Sequence, residues 1–391
     1  MLKSLRQRLP RNVWILGFVS LFADINSKMV QSVLPLFLVS VLGANLLTVG
    51  LIEGIAESTA AVVKIGSGAL SDYWQRRKEL AIVGYGLSTL VTVVFAVAVS
   101  PAWVLLARFA DRFGKGIRVA PRNALVADTT PPEKRGAAYG LRQTLDTIGA
   151  FLGPLLAAAL LFSSEQNLRL VFWLALLPGM IAVLLLVLGV KEPARPNSVP
   201  QNPLTWHQLK QFNRRYWLLL AVALVFNLGN SSDAFLLLRA QQIGVPTSLI
   251  PLTLVLINLS YGCSAYPAGV LSDRVGRVGL LLSGFILFAC TYLGFAFVQS
   301  PWQIWLLFAL YGLYLGLSQG ILLALVADQI PATLRGTAFG LINLVTGVAL
   351  LPASLLAGWL WQQFTPQAPF LLGSSCALLA TLLLALSPRR P

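Results

Sequence analysis

Charge is what this chain has least of: 11% of its 391 residues are Asp, Glu, Lys or Arg, against 57% hydrophobic. A globule of that length needs more polar matter to coat it, so a soluble enzyme is excluded and lipid is the expected solvent. Histidine is reduced to His207 in a central loop, and there are only three cysteines and three methionines. A soft-metal site or histidine-based catalysis has little to be built from, and no cofactor is expected. Cys263, Cys290 and Cys376 fall in apolar stretches without paired spacing, which leaves no disulfide framework and makes them expected packing residues. No G-x-x-x-x-G-K-[ST] run occurs, so the expected driving force is an ion gradient rather than a nucleotide.

Long apolar runs are what the chain has instead. A hydrocarbon layer about 30 Å thick takes about 20 helical residues to cross. Twelve such stretches are predicted, at 14–42, 46–70, 79–100, 102–126, 136–163, 169–190, 215–241, 247–270, 278–299, 302–327, 336–362 and 367–388. Continuous runs such as LLAAALLF and MIAVLLLVLGV lack the alternation of a transmembrane β-barrel. The expectation is an all-α membrane protein of twelve transmembrane helices.

The first run is basic and then apolar, like a signal peptide, but it continues through Asp24 and Lys28 without a small-residue cleavage site and is read as an uncleaved span. Basic loop residues, among them Arg76, Arg77, Lys78, Lys134, Arg135, Arg274, Arg277 and Arg335, fall on one side with both termini, and Arg169 and Arg239 fall on the other. That asymmetry predicts both termini in the cytoplasm and the inner (plasma) membrane as location. It also accounts for most of the formal charge of +15, so no nucleic-acid partner is expected, whereas membrane lipids are.

At an offset of 200 residues the chain aligns with itself: ALVADTTPPEKRGAAYGL falls on ALVADQIPATLRGTAFGL, and SPAW on SPWQ. At an offset of 201, GALSDYWQRRK falls on GVLSDRVGRVG. A duplicated six-helix unit is one way transporters are built. The expected organisation is an N-terminal bundle at 1–190, a polar cytoplasmic linker at 191–214 and a C-terminal bundle at 215–391, two pseudo-symmetric six-helix bundles in all.

These residues resemble the major facilitator superfamily over essentially the whole chain. The loop after the second span resembles that family's G-x-x-x-D-[RK]-x-G-[RK]-[RK] signature at Gly68, Asp72, Arg76 and Arg77, with Tyr73 and Gln75 departing from it. The second copy, with Asp273, Arg274, Gly276 and Arg277, keeps more of it. Arg112, Lys115 and Gly116 resemble the R-x-x-Q-G motif, with lysine replacing glutamine. Gly149, Gly153 and Pro154 match the fifth-span motif of the proton-coupled drug exporters, where Ala157 and Ala158 replace its last two glycines. GKGIRVAPRNAL in the fourth span also resembles a bacterial subgroup of the superfamily. The resemblance implies a major facilitator fold and a monomeric, proton-coupled antiporter for efflux of a small-molecule substrate. It also implies gating by Gly68, Asp72, Arg76, Arg77, Asp273, Arg274 and Arg277. Import of an organic anion or metabolite is the alternative direction.

Charges inside the spans are unevenly placed. The third, sixth, ninth and twelfth spans have none in their interiors, and the resemblance to the superfamily implies that these are the spans that pack outside and face lipid. Asp24, Lys28, Glu53, Glu57, Lys64, Arg142 and Asp146 lie in the first, second and fifth spans, and Arg108, Asp111, Arg112, Lys115, Arg118 and Arg122 in the fourth. Each costs about 2.5–3.5 kcal/mol at a helix centre, so they must pair or meet water. Asp24, Glu53, Glu57 and Asp146 are the expected proton carriers, and Asp111, flanked by bases, is expected to be structural.

Eight bases against five acids on these helices point to a solute with an anionic or accepting group, contacted by Lys28, Arg112 and Lys115. Arg118 and Arg122 are expected to reach toward lipid phosphates. Asn227, Asn230 and Asp233 would supply the polar contact of the nearly neutral second half. A membrane-embedded lipid-modifying enzyme would need clustered acids or a nucleophile beside its base, and the acids here are scattered and interleaved with bases.

Overall fold

The computed structural model describes residues 9–74, 76–131, 134–192, 212–330 and 335–386. The linker 193–211, with His207, lies outside the described residues, as do the side chains of Gly68, Asp72 and Asp273. The described chain is helical: α1 Arg11–Ser40, α2 Leu46–Trp74, α3 Arg77–Val97, α4 Pro101–Asp128, α5 Arg135–Ser163, α6 Leu168–Gly189, α7 Arg214–Gly229, α8 Ala234–Gln242, α9 Ile250–Val275, α10 Arg277–Phe297, α11 Pro301–Gln329, α12 Arg335–Gln363 and α13 Ala368–Ala385. Among the described residues eleven segments are long and apolar enough to span a membrane, with α7 and α8 together forming one of them. α4 matches them in length and falls short in apolarity because of its seven charges.

The seventh span is expected to be continuous and is instead broken at Asn230–Asp233. Asn, Ser and Asp side chains offer the backbone local partners that compete with the helix ladder. Here the Ser232 N–H donates to Ser354 Oγ at 3.2 Å, and the Ala234 N–H to Ser232 Oγ at 3.3 Å. Backbone groups released from the helix are thus satisfied inside the protein, as a membrane interior requires.

Two compact units emerge, Met1–Val33 with Val62–Gln201, and Leu34–Ala61 with Asn202–Pro391. In the first, α3 packs on α4 and α6. The α3–α4 contact is close because Gly84 faces the Gly114 carbonyl, and Ser88 donates to the Asp111 carbonyl. α5 seats on α1 through glycine: a Cβ on Gly149 would stand 2.5 Å from the Leu21 oxygen, and one on Gly153 2.7 Å from Lys28 Cβ. Along their length α3 and α6 leave large apolar residues exposed, among them Leu90, Val97, Leu184 and Leu188, as a lipid-facing surface requires.

In the second unit α10 packs on α11 and α13, and α9 on α11. The first half of α2 belongs here. Gly50 and Gly54 lie against Ser354 and Leu351 of α12, and Ser58 Oγ donates to the Gly347 carbonyl at 3.0 Å. Cys263 and Cys290 are exposed rather than packed as expected, while Cys376 is partly covered by Gly229.

The two units use arginine alike at one helix end. Arg169 donates to the carbonyls of Ala96 and Ala98 at the end of α3, and Arg239 to those of Phe295 and Ala296 at the end of α10, at 2.6–3.1 Å. The last carbonyls of a helix have no partner within it, and a cation there also meets the negative end of the helix dipole. These are the two arginines that stand apart from the other bases in the sequence.

Glycine at 50 is set by contact. A Cβ there would lie 2.2 Å from the Ser354 oxygen, whereas one on Gly66 of the same helix meets nothing within 4 Å. Gly50→Ala is expected to destabilise the protein by about 1–3 kcal/mol through overpacking, and Gly66→Ala to leave it unchanged or slightly more stable. Thermal unfolding of the two variants in detergent checks the contrast.

Candidate functional site

In the first unit the buried charges gather into two groups. One is internal to α4: Arg108 and Arg112, each 1% exposed, lie 3.7 Å from Asp111 on either side. Asp111 therefore serves to neutralise its own helix. Arg112, expected at the substrate, is buried in this arrangement, while Lys115 is half-buried one turn further on.

The second group joins four helices. Arg142 of α5 donates to Asp146 Oδ2 at 2.9 Å, one turn along the same helix. Arg122 of α4 reaches Ser20 Oγ of α1 at 3.1 Å and the Tyr85 hydroxyl of α3 at 3.3 Å. Asp24 and Asp146 both lie within electrostatic reach of Arg122 and Arg142. Arg118 is buried with its guanidinium 4.3 Å over the Tyr85 ring, a cation–π contact. Arg118 and Arg122 are thus turned inward, not toward lipid phosphates as expected, because Tyr85, Ser20 and the two carboxylates give them partners that hydrocarbon does not. The glycine contact between α1 and α5 makes the group possible: Gly149, three residues after Asp146, touches the Asp24 Cβ at 3.0 Å from its own missing one.

The remaining candidates divide between the units. Lys28 donates to Gln31 at 2.9 Å in the first. Glu53 and Glu57 lie in the second, and Glu53, 4% exposed, accepts from Ser232 in the α7–α8 break at 3.4 Å. Of the four expected proton carriers, Asp24 and Asp146 share a charge group within the first unit. Arg76 pairs with Glu79 at 3.1 Å, Arg77 with Asp128 at 2.5 Å, and Arg277 with Asp328, the repeat equivalent of Asp128. Arg274 is exposed at the end of α9.

The second unit carries a polar group built from aromatics, which the sequence reading passed over. Tyr311 donates to Asp233 at 2.9 Å, the Asn230 amide oxygen faces the hydroxyls of Tyr292 and Tyr311 at 3.4 and 3.5 Å, and its nitrogen faces the Tyr314 hydroxyl at 3.4 Å. Phe226, Phe285 and Phe288 pack around these tyrosines with ring centroids 4.0–5.9 Å apart. Beside them opens a cavity of ≈ 350 Å³ whose wall includes Asn227 and Asn230. Tyrosines three residues apart in α11, at 311 and 314, were the available signal.

Removing one partner of a buried pair leaves the other uncompensated, so Arg142→Gln and Asp146→Asn are each expected to lower the thermal midpoint in detergent. The double variant is expected to lose less than the two losses combined, with a coupling of about 0.5–3 kcal/mol. A double-mutant cycle of unfolding midpoints checks it, and strict additivity would show the two groups to be independent.

Comparison with known proteins agrees with this architecture. Residues 16–349 and 234–391 match the family model described as Major Facilitator Superfamily. The chain is 33% identical over 385 residues to an uncharacterised MFS-type transporter of Methanocaldococcus jannaschii, covering 97% of this chain and 95% of that one. It is 26% identical over 315 residues to a multi-drug resistance efflux pump homologue of Lactococcus lactis, covering 77% and 76%. The crystal structure of the nucleoside transporter NupG superposes with a TM-score of 0.81 at 12% identity, covering 95% of this chain and 98% of that one. The chain is a multi-pass membrane transporter belonging to the major facilitator superfamily.

Proposed function

We propose that the protein is a proton-coupled exporter of a small organic solute, with Asp24 and Asp146 as the carboxylates that load and release the proton. The observation that carries this reading is the shared charge group of the first unit, in which two carboxylates on α1 and α5 stand within reach of two guanidiniums on α4 and α5. The proton affinity of a buried carboxylate depends on whether its cation is present, so a group in which cations can change partners is suited to coupling. Protonation of Asp146 frees the Arg142 guanidinium, and partner exchange of that kind differs between two conformations of a transporter. Half-buried Lys28 and Lys115 are the bases assigned to an accepting group on the solute.

In this reading the chain works as a monomer in the cytoplasmic membrane with both termini inside, and a proton gradient drives alternating access. The pairs Arg77–Asp128 and Arg277–Asp328 sit at equivalent places in the two repeats and join helix ends, which suits a gate together with Asp72 and Asp273. Export is favoured over import by the fifth-span glycine motif and by the efflux pump homologue among the relatives.

The test is transport in proteoliposomes with an imposed pH gradient. Asp24→Asn and Asp146→Asn are expected to abolish uphill movement and substrate-stimulated proton flux, while solute exchange without a gradient continues. Uphill transport by both variants at the wild-type rate would remove these residues from coupling, and accumulation with the proton flux, rather than against it, would reverse the direction.

A further inference from the structure

The cavity of the second unit occupies the place that charge fills in the first. At the 200-residue offset Tyr85 corresponds to Phe285, Arg118 to Ser318, Arg122 to Leu322, Arg142 to Ile342 and Asp146 to Thr346. The starts of α1 and α7, RNVW and RRYW, align at an offset of 203, so Ser20 corresponds to Ala223 and Asp24 to Asn227. Every one of these counterparts lines the cavity. Where the first repeat has three arginines, two carboxylates and their partners, the second has smaller or neutral side chains and ≈ 350 Å³ of space. A ligand there completes a volume that the fold elsewhere fills with its own side chains.

The wall states what that ligand must offer. No charged residue lines it. Asn227 Nδ2 donates to the Ala223 carbonyl and Asn343 Nδ2 to the Phe339 carbonyl, both at 2.8 Å. A carbonyl only accepts, so one N–H of each amide is held on the helix backbone, and its second N–H and its Oδ1 remain to meet a ligand. Ser318 donates its one hydroxyl proton to the Tyr314 carbonyl at 2.8 Å, and Thr346 donates its own to the Asn343 carbonyl at 3.1 Å. The Ser318 and Thr346 hydroxyls thus have acceptor lone pairs left, while the amides of Asn227, Asn343 and Gln319 carry both acceptors and donors. Its apolar side is aromatic, with Phe226 and Phe285 stacked at 4.3 Å and 18° beside Tyr314.

We propose that this cavity binds the solute through an uncharged planar ring bearing N–H donors. The donors meet the amide and hydroxyl oxygens of Asn227, Ser318, Asn343 and Thr346, and the ring lies against the aromatic wall. An anionic ring is disfavoured because no cation among the described residues lines the cavity to offset its charge. The inference rests on the chain being a solute transporter and not on proton coupling, since binding at equilibrium requires no gradient.

The test uses purified full-length protein in lipid nanodiscs and three matched probes, followed by saturation-transfer NMR titration. Benzamide has two N–H donors, methyl benzoate has the same neutral ring without them, and benzoate has only acceptors. Benzamide is expected to bind at least fivefold more tightly than methyl benzoate. Asn343→Leu is expected to remove that difference, and Leu322→Arg, which restores the residue type of the first repeat, to abolish benzamide binding. Benzoate held elsewhere by the bases of the first unit would be unaffected by either substitution. Thermal midpoints confirm folding, and Thr346→Val stands in for any variant that fails it. Equal affinity for benzamide and methyl benzoate, no benzamide saturation at millimolar concentration, or unchanged benzamide binding in folded variants would each overturn the proposal.

Discussion

A guanidinium inside hydrocarbon has no water to solvate it, so each arginine in these helices is placed where another part of the protein answers it. Arg108 and Arg112 have Asp111 between them, Arg122 has Ser20 and Tyr85, and Arg142 has Asp146. Arg169 and Arg239 have helix-end carbonyls. Helix order and approach follow from this requirement. α4 can carry seven charges because α1, α3 and α5 surround it with partners, and α5 can come close enough to α1 because Gly149 and Gly153 present no side chain. A larger residue at 149 would push α5 from α1 and separate Asp146 from Asp24.

The spans were legible in the sequence because a membrane helix announces itself by length and apolarity alone, and α1, α6 and α10 begin and end within a few residues of expectation. The broken seventh span was not, since Asn230–Asp233 remains polar by composition whether helical or not, and the break depends on Ser354 from a helix more than a hundred residues away. The carboxylate candidates were legible as residues but not as a group. Intervals of four within one helix tell which side chains share a face, and they are silent on which helix that face meets. Asp24 and Asp146 meet across α1 and α5, whereas Glu53 meets Ser232.

Arg122 shows how a local rule fails. Near the end of a span, reaching for lipid phosphates is a sound expectation for a long basic side chain. The deciding information is that Tyr85 and Ser20, on two other helices, stand within hydrogen-bond distance. Periodicity within α4 cannot show this, but the repeat could have suggested it. Arg118, Arg122 and Arg142 all change to uncharged residues at the equivalent positions, together with the acids Asp24 and Asp146. Charges that are lost as a set belong to a set.

That joint replacement bears on how a duplicated bundle divides its labour. Duplication supplies two copies of one backbone, and the same interhelical space appears at α1, α3, α4 and α5 and again at α7, α10, α11 and α12. Filled with ion pairs, that space holds protonatable groups whose energies depend strongly on small displacements, because electrostatic interactions between desolvated charges are strong. Emptied and lined with amides, hydroxyls and aromatic rings, it holds shape and hydrogen-bond direction, which discriminate among solutes. On the proposed reading neither lining does both well: charges in the second copy would select by charge alone, and neutral groups in the first would leave no proton to carry. Divergence of the two repeats is then how one architectural unit would serve both proposed roles.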